Sequence, residues 1–205
     1  GGAATQFMEN SLMRNTWGGA GAATNGTTLP DTTPARPYLS DFLVYVGSTI
    51  YGRSSFGASA DYKLSPASRL SFSFQSGTFH SSFNQRSMTF SVNRVLSGDF
   101  TPTSTRGFAG AGEVRLSNNG NDRESSTYMP TLTYRYDGPI WKAEAGLGSS
   151  HAANRFRQVD KSFFGTTLAR RTGVTVSFGD IFYLRPRVIT VTDGTTGAPV
   201  DPFNI

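Results

Sequence analysis

Few residues in this chain have the type and spacing that chemistry needs. His80 and His151 stand far apart and show no spacing signature of a zinc site. Each falls toward the end of a strand that runs away from a short turn. That places both at a rim, as ligand contacts or as interfacial and loop residues. Cysteine is absent, so thiol catalysis, Cys-ligated zinc and disulfide frameworks are excluded. The glycine-rich run Gly107-Phe108-Ala109-Gly110-Ala111-Gly112 opens no helix of a strand–helix–strand unit, so it is no dinucleotide fingerprint. There is no P-loop and no Gly-x-Ser-x-Gly elbow. Asp193-Gly194 reads as a turn, because the remaining ligands of a calcium loop are missing. Asp61 with Lys63, and Lys142 with Glu144, are spaced either to form ion pairs on a wet surface or simply to meet water. Tyr51, Phe83, Phe163 and Phe164 form either an aromatic surface for carbohydrate or loop packing. No nucleophile, acid–base pair or metal set assembles. The expectation is a protein that is not an enzyme, with no catalytic, cofactor-binding or metal residue and no cofactor.

Charge narrows the partners. The net charge is +5 over 205 residues. Yet Lys and Arg are scattered, and the densest groups are only Arg155, Arg157 and Lys161, then Arg170 and Arg171. Without a run of five or six like charges, nucleic acid is not an expected partner. Charged residues make up only 16% of the chain against 13% aromatics, a balance that argues against disorder.

The elements that must position these residues read as strands. Residues 1–54 form an irregular, loop-rich segment. Within it Thr5–Thr16 can hold one or two helical turns, since Met8 and Leu12 are spaced i, i+4. Gly18–Pro37 is rich in Gly, Ala, Thr and Pro and reads as loop, and Phe42–Val46 as a short strand. Residues 55–205 form an antiparallel β segment with a period of two. Phe56, Ala58, Ala60, Tyr62 and Leu64 share one face, Ser65–Ser68 turn, and Leu70, Phe72 and Phe74 return. A second hairpin follows the same plan. Leu132, Tyr134 and Tyr136 lead to Asp137-Gly138-Pro139, then Trp141, Ala143, Ala145 and Leu147 return. Pro130 lacks a ladder donor, so its strand starts after it or bulges there. Met88–Val92, Val114–Leu116, Val174–Phe178 and Phe182–Thr192 supply weaker strands, the last interrupted by Pro186. About eight strands follow Ser55 by this pattern, with no helix longer than two turns and no fixed repeat. The fold class is therefore all-β, an antiparallel up-and-down meander.

Alternation alone suits a soluble sandwich as well as a membrane barrel. Three features favour a section of a transmembrane β-barrel. The short turns at Ser65–Ser68 and Asp137–Ile140 alternate with long polar connections at about residues 81–126 and 152–168. The aromatics Tyr62, Phe72, Tyr134, Tyr136 and Trp141 gather beside the short turns on the apolar face, as an interfacial girdle requires. The opposite face is small or charged: Gly57, Asp61, Lys63, Lys142, Glu144 and Gly146. No run of 18 apolar residues exists, so a spanning helix is not expected.

Several stretches resemble the TonB-dependent receptors of the bacterial outer membrane. They are Asp61-Tyr62-Lys63-Leu64-Ser65-Pro66 with Arg69-Leu70-Ser71, Asp99-Phe100-Thr101-Pro102 with Thr105-Arg106-Gly107, and Tyr134–Ala143. Leu184-Arg185-Pro186-Arg187 and Val191-Thr192-Asp193-Gly194 complete the set. The resemblance covers roughly residues 55–201. It implies a receptor that takes up a scarce ligand, a siderophore or an oligosaccharide, with TonB supplying the force and outer-membrane lipid around the barrel. No TonB box, plug domain or aromatic-ended last strand is seen, and the chain starts at Gly1 without a signal peptide, so a middle fragment of the barrel is expected. The alternatives are a small complete outer-membrane barrel for anchoring or adhesion, and a soluble carbohydrate-binding β-sandwich.

Overall fold

The computed structural model describes residues 1–18, 32–158 and 165–204. Within them the chain is all-β, and its strands join one antiparallel sheet. Ten strands run in the order β1 (Gly2–Gly18), β2 (Tyr38–Ser65), β3 (Ser68–Ser91), β4 (Phe100–Thr101), β5 (Ser104–Arg106), β6 (Gly112–Asp137), β7 (Lys142–Gly148), β8 (His151–Arg157), β9 (Thr167–Phe182) and β10 (Arg185–Asp193). The lateral path is β1-β2-β3-β6-β9-β5-β4, with β7 and β8 on β6 and β10 on β9. That path is meander-like, and among the described residues it does not close into a barrel.

Three strands are far longer than their sequence patterns suggest: 28 residues in β2, 24 in β3 and 26 in β6. One edge of β6 pairs in succession with β9 at Gly112–Asn118, β8 at Asp122–Tyr128 and β7 at Thr131–Asp137. Segments rich in Ser and Asn thus become strand, because the ladder is built from backbone groups that any side chain permits. The long connection expected over residues 81–126 shrinks accordingly. Residues 81–91 belong to β3 and 112–126 to β6, and the stretch between them carries the short β4 and β5.

The first 54 residues also need correction. β1 occupies Gly2–Gly18, where helical turns were expected over Thr5–Thr16, and β2 already starts at Tyr38. The Met8–Leu12 spacing signals a helix only if one helix face is buried, and here both residues are exposed on a strand. Most of the Gly18–Pro37 loop and residues 159–164 lie outside the described residues, and the connection expected over 152–168 is shorter at both ends, since 152–157 belong to β8 and β9 starts at Thr167. The Ser65–Ser68 and Asp137–Ile140 hairpins form as the sequence predicts. Pro130 sits inside β6, and its carbonyl accepts a hydrogen bond from the Ser149 N–H at 3.0 Å. Its ring nitrogen offers none in return, and the partner run breaks there into β7 and β8.

Contacts divide the chain into two units. The first comprises residues 1–9, 48–84 and 120–165. The second comprises residues 10–47, 85–119 and 166–205. The second has an ordinary hydrophobic core of Leu39, Phe42, Met88, Phe90, Val92, Val95, Phe100, Val114, Val174, Val176 and Phe178, among others. Val174, Val176 and Phe178 alternate inward as predicted. The β9–β10 hairpin turns through Tyr183 and Leu184, both with positive φ (47° and 62°). A two-residue turn of that hand matches the strand twist and needs φ above zero at both positions. Every residue of that core belongs to the second unit.

Candidate functional site

The first unit shows two unlike faces, and both come from strict alternation along β2, β3, β6 and β7. On one face the register sets Leu132 opposite Leu147, Tyr134 opposite Ala145 and Tyr136 opposite Ala143. Phe56 and Phe74 meet across β2 and β3 with ring centroids 6.3 Å apart. Tyr62, Leu64, Phe72, Leu132 and Leu147 belong to the same alternating sets, and every one is exposed. Tyr62 is 67% and Leu147 74% accessible, values far from those of core side chains. Trp141 and Ile140 at the turn are more exposed still. A contiguous apolar face this bare marks an interaction surface.

The other face is hydrogen-bonded from strand to strand. Ser71 Oγ donates to Asp61, the Ser73 and Thr131 hydroxyls share a bond, and Arg135 bonds Glu144 with Nη2–Oε2 3.0 Å. Lys142 pairs with Asp137 at 3.1 Å, its register partner across the turn. The expected pairings along a strand, Asp61 with Lys63 and Lys142 with Glu144, are therefore replaced by cross-strand ones. Directly opposed residues lie about 5 Å apart, closer than residues i and i+2 of one strand.

Farther from the short turns this second face changes character. Tyr51 and Phe79 are in ring contact at 5.9 Å. Arg53 lies over the Phe79 ring at 5.4 Å and Arg123 at 5.8 Å. Arg123 also covers Phe156, its register partner, at 5.3 Å, and its Nε donates to Asn154 Oδ1 at 3.1 Å. The sequence analysis placed Tyr51 in an aromatic group with Phe83, Phe163 and Phe164. The structure gives it Phe79 instead, while Phe163 and Phe164 lie outside the described residues. Phe79, Arg53, Arg123 and Phe156 were not singled out, because only strand register shows that they share a face.

The two histidines part company. His80, in β3, faces Asp122 with Nε2–Oδ2 3.7 Å, and Asp122 is buried with Oδ1 unpaired. His151 opens β8 opposite Tyr128. Among the described residues no group of His, Asp and Glu is arranged to hold a metal ion.

In the second unit Glu113 is the most enclosed charge. Arg115 donates Nε and Nη2 to its Oε1, and Arg170 Nε donates to Oε2 at 2.7 Å. Burial alone would raise the Glu113 carboxyl, but the hydrogen bonds and charges of Arg115 and Arg170 outweigh it and hold it below the usual range. This cluster ties β6 to β9. Asp193, expected as a turn residue, caps its loop by accepting from the Thr195 and Thr196 N–H groups at 2.9 and 2.8 Å. The Gly107–Gly112 run packs in a connection against β9, with no helix following.

A scan of protein-family models and a search of curated proteins find no match to the chain.

Proposed function

We propose that this chain is a section of an outer-membrane transport barrel of the TonB-dependent receptor type, working in energised uptake of a scarce ligand, a siderophore or an oligosaccharide. The observation that carries the reading is the bare apolar face of the first unit, set back to back with a hydrogen-bonded polar face. Lipid welcomes the first and a wet lumen the second. The apolar band has the right height. From Leu64 back to Phe56 it spans nine residues of β2, the length of a tilted spanning strand. Tyr62, Tyr134, Tyr136 and Trp141 crowd the end near the turns, where amphipathic rings suit the headgroup level. At the other end of the same face the band gives way to His80, Glu124 and Arg157, which belong in water. A soluble sandwich needs a second layer over the apolar face, and the exposure of Tyr62, Leu132 and Leu147 leaves it uncovered.

The test is fluorescence in vesicles. In a Trp17→Phe background Trp141 is the one remaining tryptophan. Lipids brominated along the acyl chain should quench it after reconstitution. Unquenched Trp141 emission, identical to that in buffer, refutes membrane insertion of this face.

A further inference from the structure

We propose that the polar face of the first unit carries a binding site for an acidic saccharide, centred on Phe79 and built from Arg53 and Arg123. The proposal sharpens the ligand class of the uptake reading. Its test is a binding measurement, so a failed insertion experiment leaves it standing.

Four strands deliver the parts. β2 supplies Arg53 and Tyr51, β3 Phe79, β6 Arg123 and β8 Phe156. Both guanidinium groups lie over one ring, at 5.4 and 5.8 Å from its centre. Stacking orients a guanidinium without neutralising it, and leaves its N–H edge free to grip an oxyanion in a fork. Arg123 has its Nε engaged by Asn154, and its two terminal nitrogens donate to no protein acceptor among the described residues. Neither arginine has a carboxylate partner among the described residues. Alternation explains why. The nearby acids Asp122 and Glu124 point to the opposite face, where they meet His80 and Arg157. Two exposed, uncompensated cations therefore share one patch.

The neighbourhood fits a sugar. A groove of about 600 Å³ adjoins the patch, lined by Arg53, Phe79, Ser55, Ser125 and Thr127. Ser55, Ser125 and Thr127 bring hydroxyls that both donate and accept, as sugar hydroxyls do, with Ser125 already donating to Asn154. Phe79 is the aromatic residue of that lining, and its ring is taken up by the two guanidinium groups, which it holds at the groove. The arginines then select sugars that carry an oxyanion, either a carboxylate or a phosphate ester, since both match the guanidinium fork.

The experiment is isothermal titration of the full chain in detergent micelles, with trigalacturonate, glucose 6-phosphate, maltotriose and inorganic phosphate. At least one of the two acidic sugars should bind about tenfold or more tightly than maltotriose and phosphate, as one charge-assisted fork predicts. Which acidic sugar prevails tells carboxylate from phosphate recognition. Added salt should weaken binding. Arg53→Gln is the decisive variant, because the Arg53 side chain makes no hydrogen bond among the described residues and its loss spares the sheet. It should weaken binding about tenfold, and Arg53→Lys, which keeps the charge but not the fork, by less. Equal binding of maltotriose, unchanged affinity in the Arg53→Gln/Arg123→Gln double variant, or no binding of any probe by a chain with an intact β circular-dichroism spectrum would each overturn the proposal.

Discussion

Placing an arginine on each face of the same strand discriminates most sharply between lipid and water around this sheet. Leu132 pairs with Leu147, and Thr133, one residue on, pairs with Gly146 on the reverse face. Leu132 stands midway along the apolar side of β6 between Tyr128 and Tyr136. Eight residue steps at about 3.3 Å each make about 26 Å of strand, and a tilt of about 40° leaves about 20 Å of height. Leu132 is thus about 10 Å from either edge of the band, which the proposed transmembrane reading puts close to mid-membrane. Leu132→Arg should cost about 2–4 kcal/mol of barrel stability there. Thr133→Arg stands on the polar face with a glycine across the ladder, so it should cost about 0.5 kcal/mol or less. The assay is urea unfolding in phosphatidylcholine vesicles, followed by far-ultraviolet circular dichroism. If water bathes both faces, Leu132 is already 39% accessible and the two variants should differ little. Equal costs, within about 0.5 kcal/mol, refute the face assignment.

Other outcomes follow from particular contacts. Ala145→Arg, two register pairs nearer the turn, opposite Tyr134, should cost less than Leu132→Arg but more than Thr133→Arg, in the same assay. Glu113→Gln should destabilise the chain by about 1–2 kcal/mol near neutral pH, a moderate loss because the guanidinium groups of Arg115 and Arg170 are half in water. The Glu113 carboxyl is held below its ordinary value of 4.5. Its contribution is therefore complete above that value and fades as pH falls through the lowered one, so the stability gap between wild type and Glu113→Gln should close in acid titrations. Phe178→Ala empties a site that is 2% exposed in the second unit and should cost about 3–5 kcal/mol in chemical denaturation. Gly107→Ala drives a methyl into the Val176 carbonyl oxygen, a backbone atom that cannot yield locally. A drop of about 1–3 kcal/mol is expected, read from the urea midpoint.

Much of the local architecture was legible in the chain itself. Alternation from Phe56 to Leu64, from Leu70 to Phe74, and around Asp137–Ile140 specified two hairpins, because side-chain direction and turn chemistry are written within a few residues. The inward set Val174, Val176 and Phe178 was legible for the same reason. What the chain concealed was pairing between distant segments. β1 carries no clean alternation, since it is exposed along nearly its whole length, and so it resembled loop and helical turn. Residues 117–127 are rich in Ser and Asn and read as loop, yet they continue β6, because β8 and β9 offer backbone partners there.

The candidate saccharide site divides along the same line. Composition and alternation by themselves determined an all-β chain with one apolar and one polar face, no cysteine chemistry and no motif for catalysis. Only tertiary structure decided that Arg53, Phe79, Arg123 and Phe156 meet on one face while Asp122 and Glu124 turn away. These residues are separated by tens of positions, and their meeting depends on cross-strand register. A slip of one residue in that register would exchange the two faces, which no local pattern in polar strand segments prevents.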